Sequence, residues 1–185
     1  TIKKAISIQE AATNTFGIKI AQSAFSFQLK QLFERLNVLN QQIRELEEEI
    51  LKYYDTFDCY LHTIPNVSPI IAACILSEIG DIKRFRNSAA LVAYAGIDPT
   101  VRQSGEFCST RNHMSKRGSP YLRHAIFLAA SCCSFHDNPL NDYYRKKRDQ
   151  GKHHLSAVGA VSNKLTTIIY AILRDGKPYE PIKFV

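Results

Sequence analysis

From Phe25 the apolar residues recur in alternating steps of four and three. The series is Phe25, Leu29, Leu32, Leu36, Leu39, Ile43, Leu46, Ile50, Tyr53, Phe57 and Tyr60. That spacing is an a/d heptad seam along one face of an α-helix. Glu34, Arg35, Arg44, Glu45, Glu47, Glu48 and Glu49 fall on the other faces, and no Gly or Pro interrupts the chain between Phe25 and Ile64. The pattern predicts one long coiled-coil helix over residues 23–62. A single helix cannot bury its own stripe, so a partner is expected. That partner is either a second copy of the same helix or the N-terminal segment folding back; self-association is the favoured reading. The run from Glu45 to Glu49 reads as a solvated face.

Residues 1–22 are less regular. Ser7-Ile8-Gln9-Glu10 has capping-box spacing, and the alanines after it suggest a short helix with Gly17 near its end. Beyond the seam, Pro65 and Pro69 bracket Asn66-Val67-Ser68. Residues 70–79 then read as an apolar helix with Pro69 in its first turn and Gly80 at its end. Asn87-Ser88 caps a helix over 89–94 that stops at Gly96. Residues 97–114 read as loop or short strands, with turn signals at Asp98-Pro99 and Ser104-Gly105. Ser119-Pro120 opens a helix running to about Phe135. Asn138-Pro139 interrupts, a basic helix follows over 143–150, and a last helix over 155–173 ends before Gly176-Lys177-Pro178. The expected fold is mainly α: a long coiled-coil helix, then a compact helical domain over 63–185.

The order helix, tight turn, helix around residues 63–80 is that of a helix-hairpin-helix-like unit. Such hairpins hold nucleic acid by aiming backbone N–H groups and a helix N-terminus at a phosphate, without reading bases. On this reading Asn66, Val67 and Ser68 are the contact residues. An ordinary helix–turn–helix packing unit accounts for the pattern equally well. Asn tolerates positive φ and suits the turn at Asn66; Ser68 suits it less.

Composition adds direction. The chain has 185 residues and a net charge of +7, which favours an anionic partner, with nucleic acid the commonest. The basic residues gather around a candidate hydroxyl: Arg102, Arg111, Lys116, Arg117 and Arg123 lie near Ser104, with Ser115 as a further polar contact. Serine attacks a phosphodiester only when positive charge surrounds the non-bridging oxygens and a base or tight site activates it. A lone Ser-Gly pair is otherwise a turn, and Ser109 and Ser115 are rivals.

The acidic residues are scattered, so no metal site and no resident cofactor is expected in this chain. Cys59 with His62, and His153-His154, lack a matching second pair for zinc. His113 and His124 could serve as base or phosphate ligand, but each reads more simply as an ordinary polar or core residue. Five cysteines in no paired spacing suggest a reduced, cytoplasmic setting, and no apolar run of about 18 residues was expected to span a membrane. The chain starts at Thr1, so it is expected to be a piece of a longer protein.

The ordered motifs carry a resemblance. They are Ile64-Pro65-Asn66-Val67-Ser68-Pro69-Ile70-Ile71-Ala72-Ala73, Glu78-Ile79-Gly80-Asp81, Phe85, Leu91-Val92-Ala93-Tyr94-Ala95-Gly96-Ile97-Asp98-Pro99, Arg102-Gln103-Ser104-Gly105 and Ser115-Lys116-Arg117-Gly118-Ser119-Pro120-Tyr121-Leu122-Arg123. Asn138-Pro139 and Asp175-Gly176-Lys177-Pro178-Tyr179 extend them. Together they resemble the C-terminal part of transposases of the insertion-sequence one-ten family, over about residues 63–179. The resemblance implies a bacterial or archaeal enzyme that moves an insertion element, with DNA as partner and a structured guide RNA. It implies a serine nucleophile at Ser104, a covalent phosphoserine intermediate, and a dimerising helix at the heptad seam. It places a divalent metal, Mg, in an N-terminal RNase H-like domain that this chain lacks, so the fragment alone is expected to be inactive. Asn66 and Ser68 depart from the Gly-rich hairpin common in that family. Two other readings stand beside it: a non-catalytic helix-hairpin-helix binding and dimerisation module, and a purely structural oligomerisation protein.

Overall fold

The computed structural model describes residues 2–14, 22–100, 103–104, 107–108 and 113–181. The fold is mainly α, with seven helices among the described residues: α1 (Ile2–Thr13), α2 (Gln22–Tyr54), α3 (Pro69–Ile79), α4 (Ser88–Ala95), α5 (Pro120–Phe135), α6 (Pro139–Asp149) and α7 (His154–Asp175). One short antiparallel hairpin joins β1 (Gln103–Ser104) to β2 (Phe107–Cys108). The chain divides into two compact units, residues 1–46 and 47–185.

In the first unit α1 is exposed along its whole length. Ser7 and Glu10 lie inside this helix, so they do not form the N-terminal capping box that their spacing suggested. The helix already begins at Ile2, and an interior Ser has no orphan N–H to cap. Gly17 lies outside the described residues. The heptad face of α2 is bare: from Leu29 to Tyr53 its a and d side chains are between 39% and 70% exposed.

α2 stops at Tyr54, short of the expected residue 62. The cause is a tertiary contact that the heptad spacing does not contain. Tyr54 turns inward and is buried, with its hydroxyl against the Cys59 carbonyl and 3.2 Å from His62 Nδ1. Thr56 and Phe57 donate their amides back to the Tyr53 and Tyr54 carbonyls, closing the last turn. A 3-10 turn at Leu61–Thr63 then leads to the Pro65–Pro69 segment.

The second unit is built around α7. Ala157, Val158, Val161, Leu165 and Ile169 are fully buried, and α4, α5 and α6 pack around them. Length and composition would let α7 cross a membrane, contrary to the expectation that no run was apolar enough; here those side chains fill the core instead. Ser162 and Thr166 are buried too, and each hydroxyl donates to the carbonyl four residues back, which satisfies a polar group that would otherwise be costly to bury. α3 runs antiparallel to α5. Ser119 Oγ donates to Glu78 Oε2 at 2.7 Å at one end of the pair, and Cys133 Sγ donates to the Pro65 carbonyl at 3.1 Å at the other.

The helix ends follow local chemistry. Ser68, Asn87, Ser119 and Asn138 accept first-turn amides as N-caps, with Pro at the first position of α3, α5 and α6. Gly96 and Gly176 end α4 and α7 in the left-handed conformation.

Candidate nucleic-acid interface

The segment carrying the candidate serine leaves the helical core from the C-terminus of α4 and returns to the N-terminus of α5. Its two arms are zipped together. Lys116 donates its amide to the Gly96 carbonyl at 3.0 Å, Ser115 to the Asp98 carbonyl at 2.9 Å, and Thr100 to the His113 carbonyl at 2.7 Å. Pro99 and Met114 form an antiparallel bridge between them. Two side chains reinforce this stem: Ser115 Oγ donates to Asp98 Oδ1, and Thr100 Oγ1 donates to the His113 carbonyl at 2.9 Å. Beyond the stem, Ser104 pairs with Phe107 and Gln103 with Cys108. Arg102 and Arg111 lie outside the described residues, as does the Ser104 side chain.

The foot of the stem is sterically demanding. Gly96 adopts φ +65°, and a Cβ there would meet Arg123 Nη1 and the amide nitrogens of Arg117 and Gly118 at 2.8–2.9 Å. Lys116 sits at φ +53°, one of two non-glycine residues with positive φ among the described residues. A lysine has no side-chain reason to favour that region. The turn holds it there with the Lys116–Gly96 bond, and its ammonium is left on the surface with the Arg117 guanidinium.

Two expected contact residues have internal duties. The Ser115 hydroxyl is given to Asp98 within a half-buried pair, so it is not a free rival to Ser104. Arg123 Nη1 donates to the Ala95 carbonyl at 3.1 Å and so caps the C-terminus of α4, where a cation also meets the negative end of the helix.

Asn66, Val67 and Ser68 are not part of this surface. They precede α3 at the end where α5 finishes, whereas Lys116 and Arg117 precede the start of α5. Ser119, the N-cap of α5, and Cys133 near its other end are fourteen residues apart, about 21 Å along a helix axis. The Pro65–Pro69 turn is also more self-contained than a phosphate-holding hairpin requires. Asn66 adopts φ +64°, which its side chain tolerates. Val67 is buried and its amide donates to the Ile64 carbonyl at 3.1 Å. Ser68 is extended (φ −69°, ψ 153°), so it needs no glycine, and its hydroxyl caps α3 by accepting from Ile71 N.

Among the described residues no three His, Cys, Asp or Glu side chains gather within reach of one cation. With Asp98 engaged by Ser115, the residues described do not fit the divalent metal that the resemblance places elsewhere in the family's proteins. Burial raises the Cys133 thiol to about 12, with the neighbouring Cys132 adding to the shift. Burial also raises the Tyr54 hydroxyl, reinforced by Cys59. Both are structural groups, far along the chain from the stem.

Fold and site together define a small helical domain with a hydrogen-bonded, basic-footed stem between α4 and α5. Residues 59–145 match the model of the transposase IS116/IS110/IS902 family. The chain is 32% identical over 151 residues to the 43.6 kDa protein of insertion element IS110 from Streptomyces coelicolor, covering 80% of this chain and 37% of that protein. It is 32% identical to the pilin gene-inverting protein of Moraxella bovis, over 65% of this chain and 38% of that one. With the transposase for insertion sequence element IS1328 of Yersinia enterocolitica it shares 27% identity, over 80% and 46% of the two chains. The chain belongs to the IS110 family of transposases, and it covers between 37% and 46% of the length of these relatives.

Proposed function

We propose that this chain is the C-terminal, DNA-binding part of a transposase that mobilises an insertion element by DNA strand exchange, with Ser104 as nucleophile and a structured guide RNA as second partner. The observation that carries the reading is the stem. Its paired arms, joined by the Lys116–Gly96, Ser115–Asp98 and Thr100–His113 bonds, lead to the strand pair that carries Ser104 and leave Lys116 and Arg117 exposed at their foot. Phosphate backbones are held by such cations, which also neutralise charge that develops on the non-bridging oxygens during attack.

In the proposed step the Ser104 Oγ–phosphorus bond forms as one P–O ester bond of the DNA breaks. The hydroxyl proton passes to a base, and the departing sugar oxygen takes up a proton. The phosphoserine keeps the ester linkage, so the strand can be rejoined to a new hydroxyl without external energy. Arg102, Arg111, Lys116 and Arg117 are the residues assigned to the phosphates. Asn66, Val67 and Ser68 are weaker candidates for phosphate contact, because the Val67 amide and the Ser68 hydroxyl already have partners inside the protein. The bare heptad face of α2 supports a homodimer or higher oligomer, and the proposed setting is the bacterial or archaeal cytoplasm.

The test is covalent trapping of DNA on Ser104 in the full-length transposase, with Ser104→Ala as control. A trapped adduct lost in that variant supports the assignment; an adduct that persists in it overturns the nucleophile. For the oligomer, sedimentation of this chain should show a self-associating species that Leu39→Lys dissociates.

A further inference from the structure

We propose that α2 pairs with α2 of a second copy in antiparallel orientation, in a register centred on Gln41. The proposal rests on the homodimer reading above and adds its geometry.

The seam assigns Leu29, Leu36, Ile43 and Ile50 to a positions and Leu32, Leu39, Leu46 and Tyr53 to d positions. Antiparallel coiled coils place a against d. A two-fold axis at Gln41 therefore forms the layers Leu29–Tyr53, Leu32–Ile50, Leu36–Leu46 and Leu39–Ile43, each occurring twice. No seam residue between 29 and 53 is left without a counterpart. All of them are exposed in the single chain, and α2 is one uninterrupted helix over this span.

Apolar fit alone does not choose the orientation, since Ile at a over Leu at d also suits parallel pairing. Charge does. Glu45, Glu47, Glu48 and Glu49 lie within little more than one turn. A parallel, in-register pair would set both acidic clusters side by side. The antiparallel register moves Glu47 of one copy about 18 Å along the axis from Glu47 of the other, beyond the screening length of about 8–10 Å. It also brings the g-position Arg35 of each copy against the g-position Glu49 of the other, and flanking charges of this kind set helix orientation. Within the single chain Glu49 holds Lys52 through Oε1 at 2.5 Å, which leaves Oε2 for the incoming guanidinium. Arg35 has no carboxylate within salt-bridge distance among the described residues. In a parallel pair Arg35 would instead face Asn40 of the second copy, and Glu49 would face Tyr54.

The experiment is a charge-swap cycle on the 185-residue chain, read as the dimer dissociation constant by sedimentation equilibrium, with helicity by circular dichroism as the folding control. Arg35→Glu and Glu49→Arg should each weaken the dimer roughly tenfold, because each replaces two symmetric attractions by repulsions. The double variant should return to within about threefold of the wild type, including the lost Lys52 pairing. Additive weakening with no rescue, on a dimeric wild type, overturns the antiparallel register and leaves the homodimer reading standing. A wild type that is monomeric at micromolar concentration overturns both.

Discussion

A Cβ placed on Gly118 would stand 1.6 Å from the carbonyl oxygen of Tyr94. The turn before α5 is pressed directly onto the last turn of α4, and the next residue, Ser119, donates its amide to that same carbonyl at 2.8 Å. Gly118→Ala should therefore destabilise the domain by about 3 kcal/mol, because two backbones must separate and no flexible side chain can yield. Thermal denaturation should show a fall in Tm of about 6–12 °C for a chain of this size. An unchanged Tm would mean that the approach is looser than the geometry indicates.

The stem separates support from binding through two adjacent residues. Ser115→Ala leaves Asp98 Oδ1 without its half-buried donor and should cost about 1–2 kcal/mol. Faster hydrogen exchange at the Thr100 and Ser115 amides would report the loosened stem. Lys116→Gly removes the charge and relaxes the positive φ, so stability should hold or rise slightly. DNA affinity should fall, and the slope of log affinity against log salt should shrink by about one unit. Equal salt slopes for wild type and variant would remove Lys116 from the phosphate contacts.

The Pro65–Pro69 turn should respond to conformation more than to charge. Asn66→Ala puts a residue with no turn-forming amide at φ +64° and should destabilise by about 1 kcal/mol, whereas Asn66→Gly should be near neutral. Urea titration of the two variants distinguishes them; equal stabilities would show that the left-handed turn is not maintained.

Alkaline stability should depend on Cys133. Its folded thiol is raised to about 12 by burial, from an ordinary value of 9.0. The folded state therefore holds its proton where the unfolded chain has released it. Stability from this group is complete below about pH 9 and is lost as pH rises from 9 toward 12. Cys133→Ala should flatten that part of the stability–pH curve while losing the contact to the Pro65 carbonyl. An equally steep alkaline loss in the variant would assign the effect to another group, with Tyr54, also raised by burial, as the next to examine.

Much of the helical framework was legible because its signals are local. Ser68 and Asn87 cap through a side chain and an amide three residues on, the Ser119-Pro120 pair opens α5, and Gly96 and Gly176 supply left-handed ends; none of these needs a distant partner. The heptad seam of α2 is equally local, since spacing alone determines which residues share a face. Tertiary structure decided the rest. Tyr54 ends α2 because its side chain finds Cys59 and His62, a contact invisible to periodicity. Ser115 and Arg123, read as phosphate contacts from charge and polarity, are occupied by Asp98 and Ala95, seventeen and twenty-eight residues back along the chain. The antiparallel packing of α3 on α5 sends Asn66–Ser68 and Lys116–Arg117 to opposite ends of one helix. Proximity in sequence carries no such information, because where two helices dock is set by the side chains both bury, and those come from across the whole domain.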